Sequence, residues 1–142
     1  MPESTSQPDA SILVVEDHRE TRTYLDLALA DGYEVDSASD ATTALEMTKE
    51  TNYDLLLVDI ALHDNIDGTE LARQLRERPE YAETPMIGMT AHQMNEERGR
   101  SLRQGFDEFL SKPFYPEDLL EAIEELLDGD SDAGTSPHRP QP

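Results

Sequence analysis

Leu55-Leu56-Leu57-Val58-Asp59 decides the reading of this chain, together with its counterpart Ile12-Leu13-Val14-Val15-Glu16-Asp17. Each is a short aliphatic run that ends abruptly in acid. Apolar runs of this length, without polar alternation, read as strands buried on both faces, the pattern of a parallel sheet covered by helices. In such sheets the crevice outside the carboxyl ends of the strands is the ligand site. The two strand ends therefore bring Glu16, Asp17 and Asp59 side by side, where mutual repulsion is costly unless a cation lies among them. Asp59 follows four buried aliphatics directly, and a charge there is expensive without partners. Such a ligand set suits a hard divalent metal and phosphoryl chemistry.

Working outward, strands and helices alternate. Thr21, Leu25, Ala28 and Leu29 form a helical stripe after the first strand, stopping at Gly32. A weaker strand is expected over Glu34–Ala38. Asp40 is placed to cap a helix with Ala41, Ala44, Leu45 and Thr48 on its inner face. After the Leu55–Asp59 strand, a loop to Gly68 leads into a helix presenting Leu71, Ala72 and Leu75. Pro85 precedes a strand over Met86–Thr90, and a polar helix is expected from about Gln93 to Gln104, closed by Gly105. Glu108–Ser111 reads as the last strand. Pro116 opens a helix with Leu119, Leu120, Ile123, Leu126 and Leu127 inward. Five βα units give an α/β fold, a doubly wound five-stranded parallel sheet.

Composition bounds what such a fold can do. With 142 residues the chain has the length of one domain. Met1–Ala10 reads as a disordered leader, residues 11–128 as the domain, and Gly129–Pro142 as a disordered tail with nothing apolar to bury. Cysteine is absent, which excludes disulfides, thiolate metal sites and thiol nucleophiles. The longest apolar runs fall far short of the ~20 residues that span a bilayer, and the first residues lack a basic segment, so a soluble cytoplasmic protein is expected. A net charge of −21 argues against nucleic-acid or membrane partners, since both require a cationic surface. An acid-rich surface with only two lysines, Lys49 and Lys112, suits high intracellular salt, so a halophilic source is expected.

The chemistry-bearing residues converge on one edge. Glu16, Asp17 and Asp59 close the first and third strands, Thr90 closes the fourth, and Lys112 follows the fifth, before Pro113. Two or three carboxylates with a backbone carbonyl and waters suffice for magnesium. A carboxylate can attack phosphorus to give an aspartyl phosphate, and a metal, an ammonium and a hydroxyl can neutralise the phosphoryl oxygens. Each residue also has a plainer role: Glu16-Asp17 could cap the first helix, and Thr90 could be an ordinary strand residue. His63 and His92 read as exposed loop residues, not metal ligands.

With these residues in view, the chain resembles the receiver domain of two-component response regulators, of the chemotaxis-regulator type. The carriers are Ile-Leu-Val-Val-Glu-Asp at 12–17, Leu-Leu-Leu-Val-Asp at 55–59, Asp-Gly at 67–68, Met-Thr-Ala at 89–91 and Lys-Pro-Phe at 112–114. The resemblance implies a flavodoxin-like sheet of order 2-1-3-4-5. It implies Asp59 as phosphoacceptor, charged by a sensor histidine kinase or histidine phosphotransfer protein. It implies Mg2+ held by Glu16, Asp17, Asp59 and the backbone carbonyl of Ala61. Lys112 would pair with the phosphoryl oxygens, while Thr90 and Phe109 would form the switch that a modified Asp59 biases. Output would pass to a downstream protein through the expected 93–104 helix, the last strand and the last helix.

The chain departs from the family's pattern in the loop to Asp67-Gly68, which is one residue longer and carries His63 where proline is usual. Tyr115 stands where a capping acid often precedes the last helix. Ala61 and His92 occupy positions that influence how long the aspartyl phosphate lasts. Alternatives stay open: a phosphorelay intermediate or phosphate sink without dedicated output, or a degenerate receiver used only for docking. A phosphatase of the haloacid-dehalogenase type is a third, but that family puts a second acid two residues after its nucleophile, where this chain has Ala61. The reaction expected is a stoichiometric signalling event, not enzymatic turnover.

Overall fold

In a computed structural model of the protein, residues 10–62, 66–91 and 105–131 are described. They form β1 (Ser11–Val15), α1 (Arg19–Leu29), β2 (Glu34–Ala38), α2 (Ala41–Glu50), β3 (Leu55–Asp59), α3 (Gly68–Arg76), β4 (Met86–Thr90), β5 (Glu108–Ser111) and α4 (Pro116–Ser131). The strands make one parallel sheet in the order β2-β1-β3-β4-β5. The expected helix over Gln93–Gln104, the leader up to Asp9, and His63, Asp64 and His92 lie outside the described residues.

Alternation along the central strands builds two cores. Leu13, Val15, Leu56 and Val58 pack with Ala41, Ala44, Leu71, Ala72 and Leu75 on the α2/α3 side. Ile12, Val14, Leu55 and Leu57 pack with Leu25, Leu29, Leu119 and Ile123 on the α1/α4 side. Both faces of β1 and β3 are thus covered, which is why their sequences show continuous apolar runs. Each such side chain contributes about 1.5–3 kcal/mol of burial.

The same two-residue period sorts the site residues. Glu16 continues the Ile12/Val14 series and Asp59 the Leu55/Leu57 series, so both emerge toward the α1/α4 side. Phe109 packs instead against the α2/α3 core. Loops are short because caps act locally: Asp40 Oδ1 accepts from the Thr43 amide at 2.7 Å, and Asp67 Oδ1 from the Glu70 amide at 3.0 Å.

Two features depart from the sequence expectation. A 3-10 turn, Pro79–Tyr81, buries the Tyr81 ring completely. The Tyr81 hydroxyl donates to the Thr51 carbonyl at 2.8 Å and accepts from the Tyr53 amide at 3.1 Å, tying the β4 approach to the end of α2. And α4 continues through Ser131, past the boundary expected at Asp128. A single glycine costs only about 1 kcal/mol inside a helix, and α4 is anchored upstream by buried Leu119, Ala122 and Ile123. No helix among the described residues is long and apolar enough to cross a membrane.

Candidate functional site

Register brings the strand ends together. Val15 pairs with Val58 across β1 and β3, so Glu16 and Asp59 leave the sheet side by side. Asp59 pairs with Met89, which sets it next to Thr90, and Thr90 pairs with Ser111, one residue before Lys112. The Lys112 amide donates to the Thr90 carbonyl at 2.7 Å, fixing the backbone from which its side chain returns across the sheet edge.

The carboxylates converge as expected. Glu16 is fully buried and Asp59 is 3 % exposed. Lys112 Nζ lies 2.9 Å from Glu16 Oε1 and 3.4 Å from Asp59 Oδ2. The other Asp59 oxygen accepts from the Ala61 amide at 3.0 Å, so its two oxygens have different surroundings. Burial raises the Glu16 carboxyl, but hydrogen bonds from Lys112 and His18 outweigh it and hold Glu16 below the ordinary carboxylate value. Asp59 goes the other way. Burial raises it, the Ala61 amide opposes, and the Glu16 charge adds to the rise. Burial alone would lower Lys112, yet Glu16 and Asp59 reverse this and raise it.

Two contributors escaped the sequence reading. His18 Nδ1 lies 2.9 Å from Glu16 Oε2 and 3.2 Å from Asp17 Oδ1, while its amide donates to Glu16 Oε2 at 3.1 Å. The hydrogen bond with Glu16, followed by the Asp17 charge, raises the His18 imidazole above its ordinary value. Its adjacency to Glu16-Asp17 was the signal available. Arg22, one turn into α1, donates to the Glu16 carbonyl at 2.8 Å and braces the end of β1; only the folded turn reveals it. His18 occupies the N-cap position of α1 without making a side-chain cap bond. Glu16 is engaged across the sheet edge by Lys112, which favours the site reading over the plain capping one.

The donor set fits a divalent ion. One atom each from Glu16, Asp17, His18 and Asp59 lies within 4.8 Å of every other, and three of the four are carboxylate oxygens. Hard cations prefer such oxygens, and a cation would relieve the crowding of buried negative charge. Lys112 already supplies part of that compensation through its contacts with Glu16 and Asp59.

Thr90 is buried at the end of β4. Phe109 is half-buried, its ring 5.5 Å from that of Phe106 and tilted. A β-carbon added at Gly88 would stand 3.0 Å from Phe109 Cδ1 and 3.1 Å from Ile60 Cδ1, so the absent side chain is what admits the ring over β4. Gly68 serves a similar purpose at the end of β3. Its would-be β-carbon would come within 2.8 Å of Ile60 Cα and closer still to the Asp59 carbonyl, and its amide donates to the Ile60 carbonyl at 3.0 Å. Only glycine lets α3 start this close to the residue that follows β3.

Comparison with known proteins agrees with this geometry. Residues 12–124 match the response regulator receiver domain family. The chain is 38% identical over 117 residues to the response regulator MprA of Mycobacterium leprae, covering 82% of this chain and 50% of that protein. It therefore spans about half the length of that curated relative. Among solved structures, the chemotaxis protein CheY4 of Vibrio cholerae superposes with a TM-score of 0.76 at 30% identity, covering 84% of this chain and 99% of that one. The CheY-like receiver domain protein of Methanospirillum hungatei gives 0.79 at 31% identity, covering 88% and 98%. The receiver domain of sensor histidine kinase PA1611 from Pseudomonas aeruginosa gives 0.77 at 27% identity, covering 84% and 98%, and was solved with a magnesium ion coordinated in its active-site cleft. With its fold, its clustered acids and these likenesses in agreement, the chain belongs to the response regulator receiver domain family.

Proposed function

We propose that this receiver accepts a phosphoryl group on Asp59 from a phosphohistidine of a sensor kinase or histidine phosphotransfer protein, with Mg2+ as the cofactor. Glu16, Asp17, Asp59 and the backbone carbonyl of Ala61 would hold the ion. When bound, magnesium supplies neutralisation of charge on the phosphoryl oxygens. A carboxylate oxygen of Asp59 attacks phosphorus, the P–N bond to the partner's imidazole breaks, and its electron pair stays on the departing nitrogen. Lys112, 3.4 Å from Asp59 Oδ2, stands ready to pair with the transferred group. The Thr90 hydroxyl then turns toward the new oxygens and Phe109 follows, which biases the surface read by a downstream protein.

The observation that carries this reading is the nearly buried Asp59 carboxylate, sharing the Lys112 ammonium with buried Glu16 at the carboxyl edge of a parallel sheet. A groove of about 680 Å3, lined by Glu20, Thr21, Tyr24, Lys112, Pro113 and Phe114, opens beside Lys112. Action in the cytoplasm belongs to the same reading.

Incubation with acetyl phosphate and magnesium, followed by intact mass measurement, tests it. Wild type should gain one phosphoryl group and lose the gain when EDTA is present. Asp59→Asn should gain none. Equal labelling of both proteins, or of neither, discards the proposal.

A further inference from the structure

Most of the donors around Asp59 are oxygens, but one is not. His18 Nδ1 stands 2.9 Å from Glu16 Oε2 and 3.2 Å from Asp17 Oδ1. Adjacent ligands of an octahedral ion bound at about 2.1 Å stand about 3 Å apart. The imidazole nitrogen, now hydrogen-bonded to Glu16, therefore stands at the spacing of an adjacent ligand from both carboxylates, and one atom of each of the four residues lies within 4.8 Å of every other. The His18 side chain is 60% exposed, so its ring can adjust without disturbing the core.

We infer that His18 is a direct ligand, making this a mixed nitrogen and oxygen site that holds borderline ions such as Zn2+ by a contact that Mg2+ scarcely uses. The inference rests on the metal site proposed above and sets its selectivity. Imidazole suits zinc and its neighbours in the first transition row, whereas magnesium favours carboxylate, carbonyl and water. Ligation through Nδ1 needs that nitrogen bare and the ring proton on Nε2, so the metal replaces the contacts His18 now makes to Glu16 and Asp17. With magnesium, a water can fill the same corner, and the ring remains an outer partner of the carboxylates.

Calorimetric titrations with zinc chloride and with magnesium chloride test this on wild type, His18→Asn and Asp17→Asn. His18→Asn should weaken zinc by about tenfold or more while changing magnesium by no more than about twofold. Asp17→Asn should weaken both. In wild type, the His18 ring nitrogen resonances should shift with zinc and stay near their metal-free positions with magnesium. Equal zinc affinity in His18→Asn, unmoved ring resonances, or zinc uptake that survives Asp17→Asn would each overturn the inference. Should magnesium binding and phosphoryl uptake persist in that event, the proposed function stands without it. If wild type binds neither ion, both fall together.

Discussion

Lys112 holds Glu16 more closely than it holds Asp59, at 2.9 Å against 3.4 Å. The ammonium compensates the fully buried Glu16 and leaves Asp59 with a longer, weaker contact. In the proposed reaction this would leave Asp59 free of a close ion pair, with the ammonium within reach of a group added there.

Removing one partner of this pair should hurt more than removing both. Lys112→Met strands a buried charge, at a cost of about 1–3 kcal/mol. Combining it with Glu16→Gln should recover most of that loss. Urea unfolding in EDTA across the double-mutant cycle measures the coupling, and simple additivity of the two single changes would contradict it.

Asp59 should destabilise the metal-free protein when ionised. Its carboxyl is raised by burial, and the Glu16 charge adds to that, so the folded state binds its proton more tightly than the unfolded chain does. Stability is then lost as pH rises past the ordinary carboxylate value. Asp59→Asn should melt higher than wild type near neutral pH, with the gap closing toward pH values where Asp59 is protonated in both states. Magnesium at ten times its dissociation constant should add about 1.4 kcal/mol to wild type and far less to the variant. A pH-independent gap would argue against this origin.

Gly68→Ala tests the approach of α3 to β3. The new methyl would strike the backbone at Asp59 and Ile60, which no side-chain rotation relieves. A loss of about 1–3 kcal/mol is expected, together with slower phosphoryl uptake because the connection after Asp59 must move. Unchanged stability and uptake would show that the backbone yields freely.

Glu70 reports on acid stability away from the site. Hydrogen bonds from Arg73, then Gln74, hold its carboxyl down at about 2, below the ordinary value of 4.5. A depressed acid contributes stability above its unfolded value and loses it as pH falls through the folded one. The contribution should therefore fade between about pH 4.5 and pH 2. Glu70→Gln should flatten that limb of the melting profile, and carboxyl NMR titration should locate the midpoint directly.

The net charge of −21 predicts that salt stabilises this protein. Raising ionic strength from 0.1 M to 1 M shortens the screening length from about 10 Å to about 3 Å, which weakens repulsion among surface acids. The melting temperature should climb with KCl across that range. Equal stability in low and molar salt would remove the halophilic reading.

Much of this molecule was legible in the chain itself. The buried runs at 12–15 and 55–58 specify central strands because only a doubly covered sheet hides both faces. Asp40 and Pro116 mark helix starts through chemistry local to each turn. The acids at 16, 17 and 59 announce a site because charge beside such runs is costly. Tertiary structure decided the rest, since it depends on partners far apart in sequence. No local pattern reveals that Lys112 favours Glu16, that Arg22 folds back onto the Glu16 carbonyl, or that Gly88 makes room for Phe109. His18 stood next to two metal-binding candidates in the sequence, yet only the folded loop turned its nitrogen toward them.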